Sequence, residues 1–303
     1  MGKEEAGGGA GAGDRRWRGY AMVVGACVCW GTMAVLAKLL FRDRGVEPLT
    51  LVAARFYLAT LILFAMLALG MPRHLRLGWS DWWVAAAVGV GGLVTNNFLY
   101  FLTMHMTNVA TTLLLQYQAP ILVALYAILI QRQRLSRRLL VALGLGMLGC
   151  GLVIRVYDPA VLRPNLLGIA AGLGTACAFA YYILASRAAL RRMNSWTLLA
   201  YAYFAGSLVW AAILPPWALP ARVPEPTVWW AFLAVASLGT VVPFGLFIRA
   251  LTVLPATQAS IAGLLEPVVA SAVAFLVLGE ALLPLQILGG ALVLVSVVLT
   301  QTT

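Results

Sequence analysis

Glu266 is the one acidic side chain placed well inside an apolar run, and Pro267 follows it directly. A carboxylate at the bilayer centre costs roughly 2.5–3.5 kcal/mol on insertion scales, so such a group faces a cavity, a proton path or a cationic partner. A mid-helix proline leaves the carbonyl four residues back without its donor. Here that is Gly263, and in lipid its oxygen must find protein, water or substrate. Pro120 does the same to the carbonyl of Gln116. Where one segment presents Ala259, Gly263 and Glu266 on a helical face, the other presents Thr112, Gln116 and Ala119. Two weakened helices with open acceptors near the membrane midplane suit a site for a small polar molecule. The competing reading is a pair of packing kinks with a neutral, hydrogen-bonded glutamic acid.

A second group of residues would wall such a site. Asn96, Asn97 and Tyr100 form a polar and aromatic stripe, and Trp30, Tyr117, Tyr181, Tyr182 and Phe244 supply ring faces. Rings of this kind hold cationic or aromatic ligands. The same residue types also anchor helices at interfaces and to one another. Trp17, Trp79, Trp82, Trp83, Trp217, Trp229 and Trp230 sit at the ends of apolar runs and read as an interfacial belt. Arg55 lies deeper, and the sequence expectation pairs it with Asp43 or Glu47. Lys38 and Arg187 lie near span ends, from which each can snorkel to an interface.

Other chemistries find no foothold. Gly144-Leu-Gly-Met-Leu-Gly149 fits GxGxxG but stands inside an apolar run after an Arg cluster, where a dinucleotide site needs a preceding strand. These glycines, with Gly168 and Gly172, suit close helix packing in lipid. Cys27, Cys29, Cys150 and Cys177 all fall within apolar runs and read as packing residues. His74 and His105 fall on opposite predicted membrane sides and cannot share a metal ion. No nucleophile–base–acid set is present, so neither an enzyme, a metal site nor a cofactor is expected.

The elements that must carry these residues follow from composition. Of 303 residues 62% are hydrophobic and 10% charged, against about 25% charged in soluble chains. Uncharged runs, cut by Gly, Pro and Arg clusters, give ten expected spans. They are Tyr20–Leu40, Leu51–Met71, Trp82–Leu102, Val109–Ile130, Leu139–Val156, Leu166–Leu184, Trp196–Leu214, Val228–Ile248, Thr257–Leu278 and Leu282–Thr300. The net charge of +11 resolves into topology. Alternating sides places 14 basic residues on one face and 5 on the other, with Lys38 and Arg55 inside spans. The positive-inside rule then puts both termini in the cytoplasm, and no nucleic-acid partner is needed to explain the charge.

The halves also match each other. The segment from Gln118 lies over that from Leu265, pairing Pro120 with Pro267 and Gln133 with Glu280, while Trp30–Lys38 lies over Phe179–Arg187. In the same register Asn97 pairs with Phe244, and Tyr100 with Phe247. Five spans per half is odd, so the second half enters the membrane from the opposite face. Such an inverted repeat carries its site near the midplane.

Trp30-Gly31, Ala119-Pro120, Leu265-Glu266-Pro267-Val268, Leu278-Gly279-Glu280 and Gly289-Gly290 together resemble the drug/metabolite transporter superfamily, specifically its EamA-type ten-helix exporters. Gln133, where the repeat has Glu280, departs from the pattern. The resemblance implies an all-α membrane protein of ten transmembrane helices in a 5+5 inverted-topology repeat. The expected organisation is a flexible cytoplasmic tail (1–18), a first five-helix repeat (19–157) and a second (165–301). The expected function is secondary active transport of a small amphiphilic metabolite of the amino-acid or amine class, as a proton-coupled exporter. An importer or facilitator of a cationic metabolite such as a quaternary amine is the alternative. Trp30, Asn97, Tyr100, Thr112, Gln116, Tyr117, Tyr182, Phe244, Gly263 and Glu266 are the expected substrate contacts. Glu266 is also the expected proton-coupling group, and Pro120 and Pro267 the helix breaks. The partners are then the small-molecule substrate, protons and the lipid bilayer, with the chain a monomer or homodimer. An Arg-dominated basic set points to a GC-rich genome and a bacterial inner (plasma) membrane.

Overall fold

The computed structural model describes residues 8–159 and 165–301, and among these all regular structure is helical. In chain order the long helices are α1 (Gly8–Arg44), α2 (Pro48–Gly70), α3 (Trp79–Met106), α4 (Val109–Leu129), α5 (Arg137–Val153), α6 (Leu166–Ala189), α7 (Ser195–Ile213), α8 (Pro226–Ala250), α9 (Ala256–Leu278) and α10 (Pro284–Gln301). Among the described residues nine are long and apolar enough to cross a membrane. The remaining one, α5, has 17 residues. It stops short of the expected Val156 because Arg155 turns the chain at φ 63°, and Arg155 then pairs with Asp158 at 2.5 Å. At the other end, α1 begins at Gly8, so the described part of the expected tail is helical up to the first apolar run. No proline separates the two, and the helix propagates back through the Arg cluster.

Local sequence sets the helix ends. Asn108, Ser136, Asn165 and Asn194 each cap a helix, their side-chain oxygens accepting the amides of Thr111, Leu139, Gly168 and Trp196. Pro48 and Pro226 occupy first turns, where the missing N–H costs nothing.

Packing is symmetric under exchange of the halves. α1 lies against the second parts of α8 and α9, and α6 lies against the second part of α3 and along both parts of α4. α2 pairs with its counterpart α7, and α5 with α10. Along α2 and α7 repeat-equivalent residues touch directly. The Phe56 and Tyr203 rings are 5.0 Å apart, and the Thr60 and Ser207 hydroxyls are 2.8 Å apart across 147 positions of sequence. The α5–α10 crossing is closer still. A Cβ on Gly149 would stand 2.5 Å from the Gly289 carbonyl oxygen, and one on Gly289 would stand 2.6 Å from that of Gly149. The glycines of the GxGxxG-like run therefore serve helix contact.

Regular α geometry fails at four places, in two matched pairs. α3 widens to a π-helix over Val88–Val94, and α8 does so over Ser237–Val241. α4 breaks after Gln116 and restarts at Ala119, and α9 breaks after Gly263 and restarts at Glu266. Both breaks stand where the prolines put them.

Ion pairs tie the halves together at one end of the bundle. Lys38 pairs with Glu280, Arg44 with Glu225 at 2.5 Å, and Arg222 with Glu47 at 2.5 Å. The Thr227 hydroxyl and the Arg44 guanidinium hold the Glu225 carboxyl below its usual range. At the other end Arg192 pairs with Asp81 at 3.0 Å, and the Thr197 and Tyr201 hydroxyls donate to the carbonyls of His74 and Leu75.

Candidate functional site

The two broken helices meet around a cavity. Trp30 of α1, Gln116 and Tyr117 of α4, Phe247 of α8, and Gly263 and Glu266 of α9 line it. Its volume of about 20 Å³ leaves room for one water molecule.

Each wall residue is held by packing. The Trp30 ring meets Phe244 edge-on at 5.1 Å and tilts against Phe247 at 5.7 Å. Phe244 is braced in turn by Tyr182 at 5.7 Å and Tyr203 at 5.9 Å. Within this ring cluster the Trp30 indole N–H is buried with no acceptor, an open donor in an otherwise apolar wall.

The broken turn of α9 behaves as a proline-freed acceptor should. The Cys27 thiol stands 3.6 Å from the Gly263 carbonyl oxygen and 3.8 Å from that of Ala262, within range of a weak S–H donor. Cys27 thus supplies a partner to the weakened helix, a role its sequence position gave no sign of. On the α4 side Gln116 points an amide nitrogen at the Asn96 Oδ1, 3.5 Å away, and Asn96 donates to the Thr175 carbonyl at 3.1 Å.

Asn97 does different work. Its Nδ2 donates to the Leu93 carbonyl in the π-helical stretch at 2.8 Å, which turns Oδ1 toward α2. There it accepts from the Arg55 Nη2 at 2.6 Å. The expected pairing of Arg55 with Asp43 or Glu47 is therefore wrong. Asp43 binds Arg42 and Glu47 binds Arg222, both at the bundle end, while Arg55 is held lower on α2. Tyr100, one turn beyond Asn97, lies within electrostatic reach of both Arg55 and Glu266.

Two of the residues singled out from the sequence, Thr112 and Tyr181, do not line this cavity. Thr112 is fully buried and donates to the Asn108 carbonyl at 2.7 Å, an i−4 bond inside its own helix. Tyr181 is exposed at 42%, because consecutive residues on a helix are about 100° apart and Tyr182 takes the inward face. Tyr182 itself is buried behind Phe244 and supports the wall without lining the cavity. Phe179, Ser260 and Leu264 line it and were not singled out. The signal for Phe179 was the repeat alignment, which sets it opposite Trp30.

The described residues contain no cluster of metal-ligating side chains, and their four cysteines are free. What remains is a small cavity between the broken helices of a two-repeat bundle of membrane-spanning helices, the architecture of a multi-pass membrane transporter. The EamA-like transporter family model matches this chain twice, over residues 17–155 and 166–302, and the chain belongs to that family. It is 31% identical to the threonine/homoserine exporter RhtA of Escherichia coli K12 over 89% of this chain and 86% of the exporter. An uncharacterized transporter of Archaeoglobus fulgidus is 28% identical over 93% and 95% of the two chains. A solved crystal structure superposes with a TM-score of 0.77 at 20% identity, covering 93% of this chain and 95% of the other. It has the same fold.

Proposed function

We propose that this protein is a proton-coupled exporter of a small amphiphilic metabolite of the amino-acid or amine class, working by alternating access in a bacterial inner membrane. The observation that carries the reading is the lone carboxylate of Glu266 at one of two matched helix breaks, lining a small aromatic cavity. The breaks give each half a flexible joint at the cavity, so either can swing while the other holds. Glu266 has no ion-pair partner among the described residues and must carry a proton or a cationic group when the cavity is dry. Exchange of one for the other links proton flow to substrate flow. The basic excess on one face supports an orientation with both termini in the cytoplasm. Likeness to a threonine/homoserine exporter makes these two amino acids the first substrates to test.

The experiment uses proteoliposomes with an imposed pH gradient, compared with counterflow at equal pH. Glu266→Gln keeps the shape and hydrogen bonding of the side chain and removes its titration. Uphill accumulation should be lost while counterflow persists. Intact pH-driven accumulation in Glu266→Gln would remove Glu266 from the coupling step.

A further inference from the structure

A second cavity lies in line with the one that Glu266 borders. Val123 and Ala127 of α4, Leu184 and Arg187 of α6, and Thr257 at the start of α9 line it. On all three helices the linings of the two cavities follow each other by about one turn. Pro120 gives way to Val123 on α4, Phe179 to Leu184 on α6, and Ser260 to Thr257 on α9. The step runs forward along α4 and α6 and backward along α9, so it leads toward one end of the bundle. That end is where α1 enters, because a Cβ on Gly19 would stand 2.7 Å from the Leu254 side chain, next to Pro255 in the lining. In the topology read from the basic residues it is the cytoplasmic end.

This outer cavity has a volume of about 40 Å³, against about 20 Å³ for the inner one. Its mouth is the exposed pair Gln131 and Gln133, whose neutral amides bond each other at 2.9 Å. Arg187 is the one charged residue in the lining. It donates to the Leu254 carbonyl, and no ion pair among the described residues includes it. A guanidinium has five N–H donors, and its fork matches a carboxylate. The repeat mates at the opposite end show what Arg187 lacks. There Lys38 meets Glu280, whereas here the position of Glu280 is taken by Gln133 and the cation keeps its charge. In the same register Asn108 caps α4, while its counterpart Pro255 gives α9 no side-chain cap, so the positive end of that helix adds to the potential in the cavity.

We propose that the outer cavity is the vestibule through which substrate reaches the Glu266 cavity, and that Arg187 receives the substrate's carboxylate there. The assignment rests on the transporter reading and narrows it to metabolites that carry a carboxylate. A quaternary amine would meet a like charge at the mouth. An amino acid meets a cation first and the carboxylate of the inner cavity afterwards.

The test measures uptake of labelled L-threonine into proteoliposomes of neutral phosphatidylcholine, with L-threoninol, which lacks the carboxylate, as competitor. Arg187→Gln should raise the threonine KM by about tenfold, the loss of a charge-assisted hydrogen bond, and change the threoninol inhibition constant by no more than about twofold. Arg187→Lys keeps the charge and should recover threonine to within about threefold of the wild type. Because loss of the bond to Leu254 can disturb folding, Gln133→Glu provides a second arm that leaves Arg187 in place and neutralises it. It should raise the threonine KM by a few-fold with threoninol unmoved, whatever it does to the maximal rate. Equal shifts for threonine and threoninol in either variant would overturn the assignment, as would an unchanged threonine KM in Gln133→Glu. An effect confined to vesicles containing phosphatidylglycerol would give the cavity to a lipid phosphate and overturn it as well. Transport of threoninol and other amines without any amino acid would overturn the assignment and leave the transporter reading standing. Failure of transport for every substrate would strike both.

Discussion

The two halves of this protein share a backbone and divide the chemistry between them. At the helix break in α4 the chain reads Gln116-Tyr-Gln-Ala-Pro120, and at the break in α9 it reads Gly263-Leu-Leu-Glu-Pro267. Both restart one residue ahead of a proline, yet only the second carries a carboxylate there. The first half answers with Arg55, Asn97 and Tyr100, where the second half has Ala202, Phe244 and Phe247. The ends of the bundle differ in the same way. Lys38 and Glu280 form an ion pair, whereas their repeat mates Arg187 and Gln133 flank a cavity of about 40 Å³, and Arg187 donates to the Leu254 carbonyl. Backbone symmetry gives two interchangeable joints. Side-chain asymmetry gives one cavity with a single carboxylate and, at one end, an ion pair that its repeat mates lack.

The comparison breaks most visibly at Glu266. Moving the charge across the axis, with Glu266→Ala and Ala119→Glu together, should abolish pH-driven accumulation in proteoliposomes, because Trp30, Phe247 and Cys27 are arranged around the α9 position. Recovery of transport by the swap would show that the halves are chemically interchangeable after all. Next in size are the prolines. Pro120→Ala and Pro267→Ala each restore an N–H to a broken turn, and each should slow counterflow by about tenfold, equivalent to roughly 1.4 kcal/mol. The two should agree within about threefold, since joints related by the repeat do equivalent work.

A smaller effect is expected at the bundle ends. Gln133→Glu gives Arg187 the partner that Lys38 already has. It should slow counterflow by a few-fold by holding that end shut, consistent with the 0.2–1 kcal/mol typical of partly exposed pairs. Glu280→Gln, which removes one of the three ion pairs between the halves at that end, should shift labelling of nearby cysteines toward the opposite face. The smallest effect is at Arg44–Glu225. The Glu225 carboxyl is held below its ordinary value of 4.5, so the pair persists above that pH and is lost only as pH falls through the lowered value. Thermal melts of wild type and Glu225→Gln at pH 7 and pH 5 should therefore differ little, because both carboxyl and solvent screening are unchanged over that interval.

Much of this was legible before any coordinates. Pro120, Pro267 and Glu266 are local violations of an apolar helix, and a violation can be read without knowing its neighbours. The repeat register was equally open, since duplicated spans keep their spacing, and it already set Phe179 opposite Trp30. Tyr181 and Thr112 lie off the cavity lining, because one-dimensional proximity does not say which face of a helix meets the cavity. Cys27 was read as packing because a thiol in an apolar run has nothing nearby in sequence to bond.

Composition and periodicity by themselves determined a multi-span helical protein, its two halves, both helix breaks and the lone carboxylate. These follow from hydrophobic transfer and from the backbone chemistry of proline, which act within a few residues. Only the tertiary structure decided the partner of Arg55. Asp43 and Glu47 are nearer along the chain, but a helix rises 1.5 Å per residue and carries them to the bundle end. Asn97, 42 positions away, comes within 2.6 Å because α3 packs alongside α2 and its π-helical stretch aims the amide across the gap. Which side chains share a dry compartment is a property of helix packing, and no local pattern encodes it.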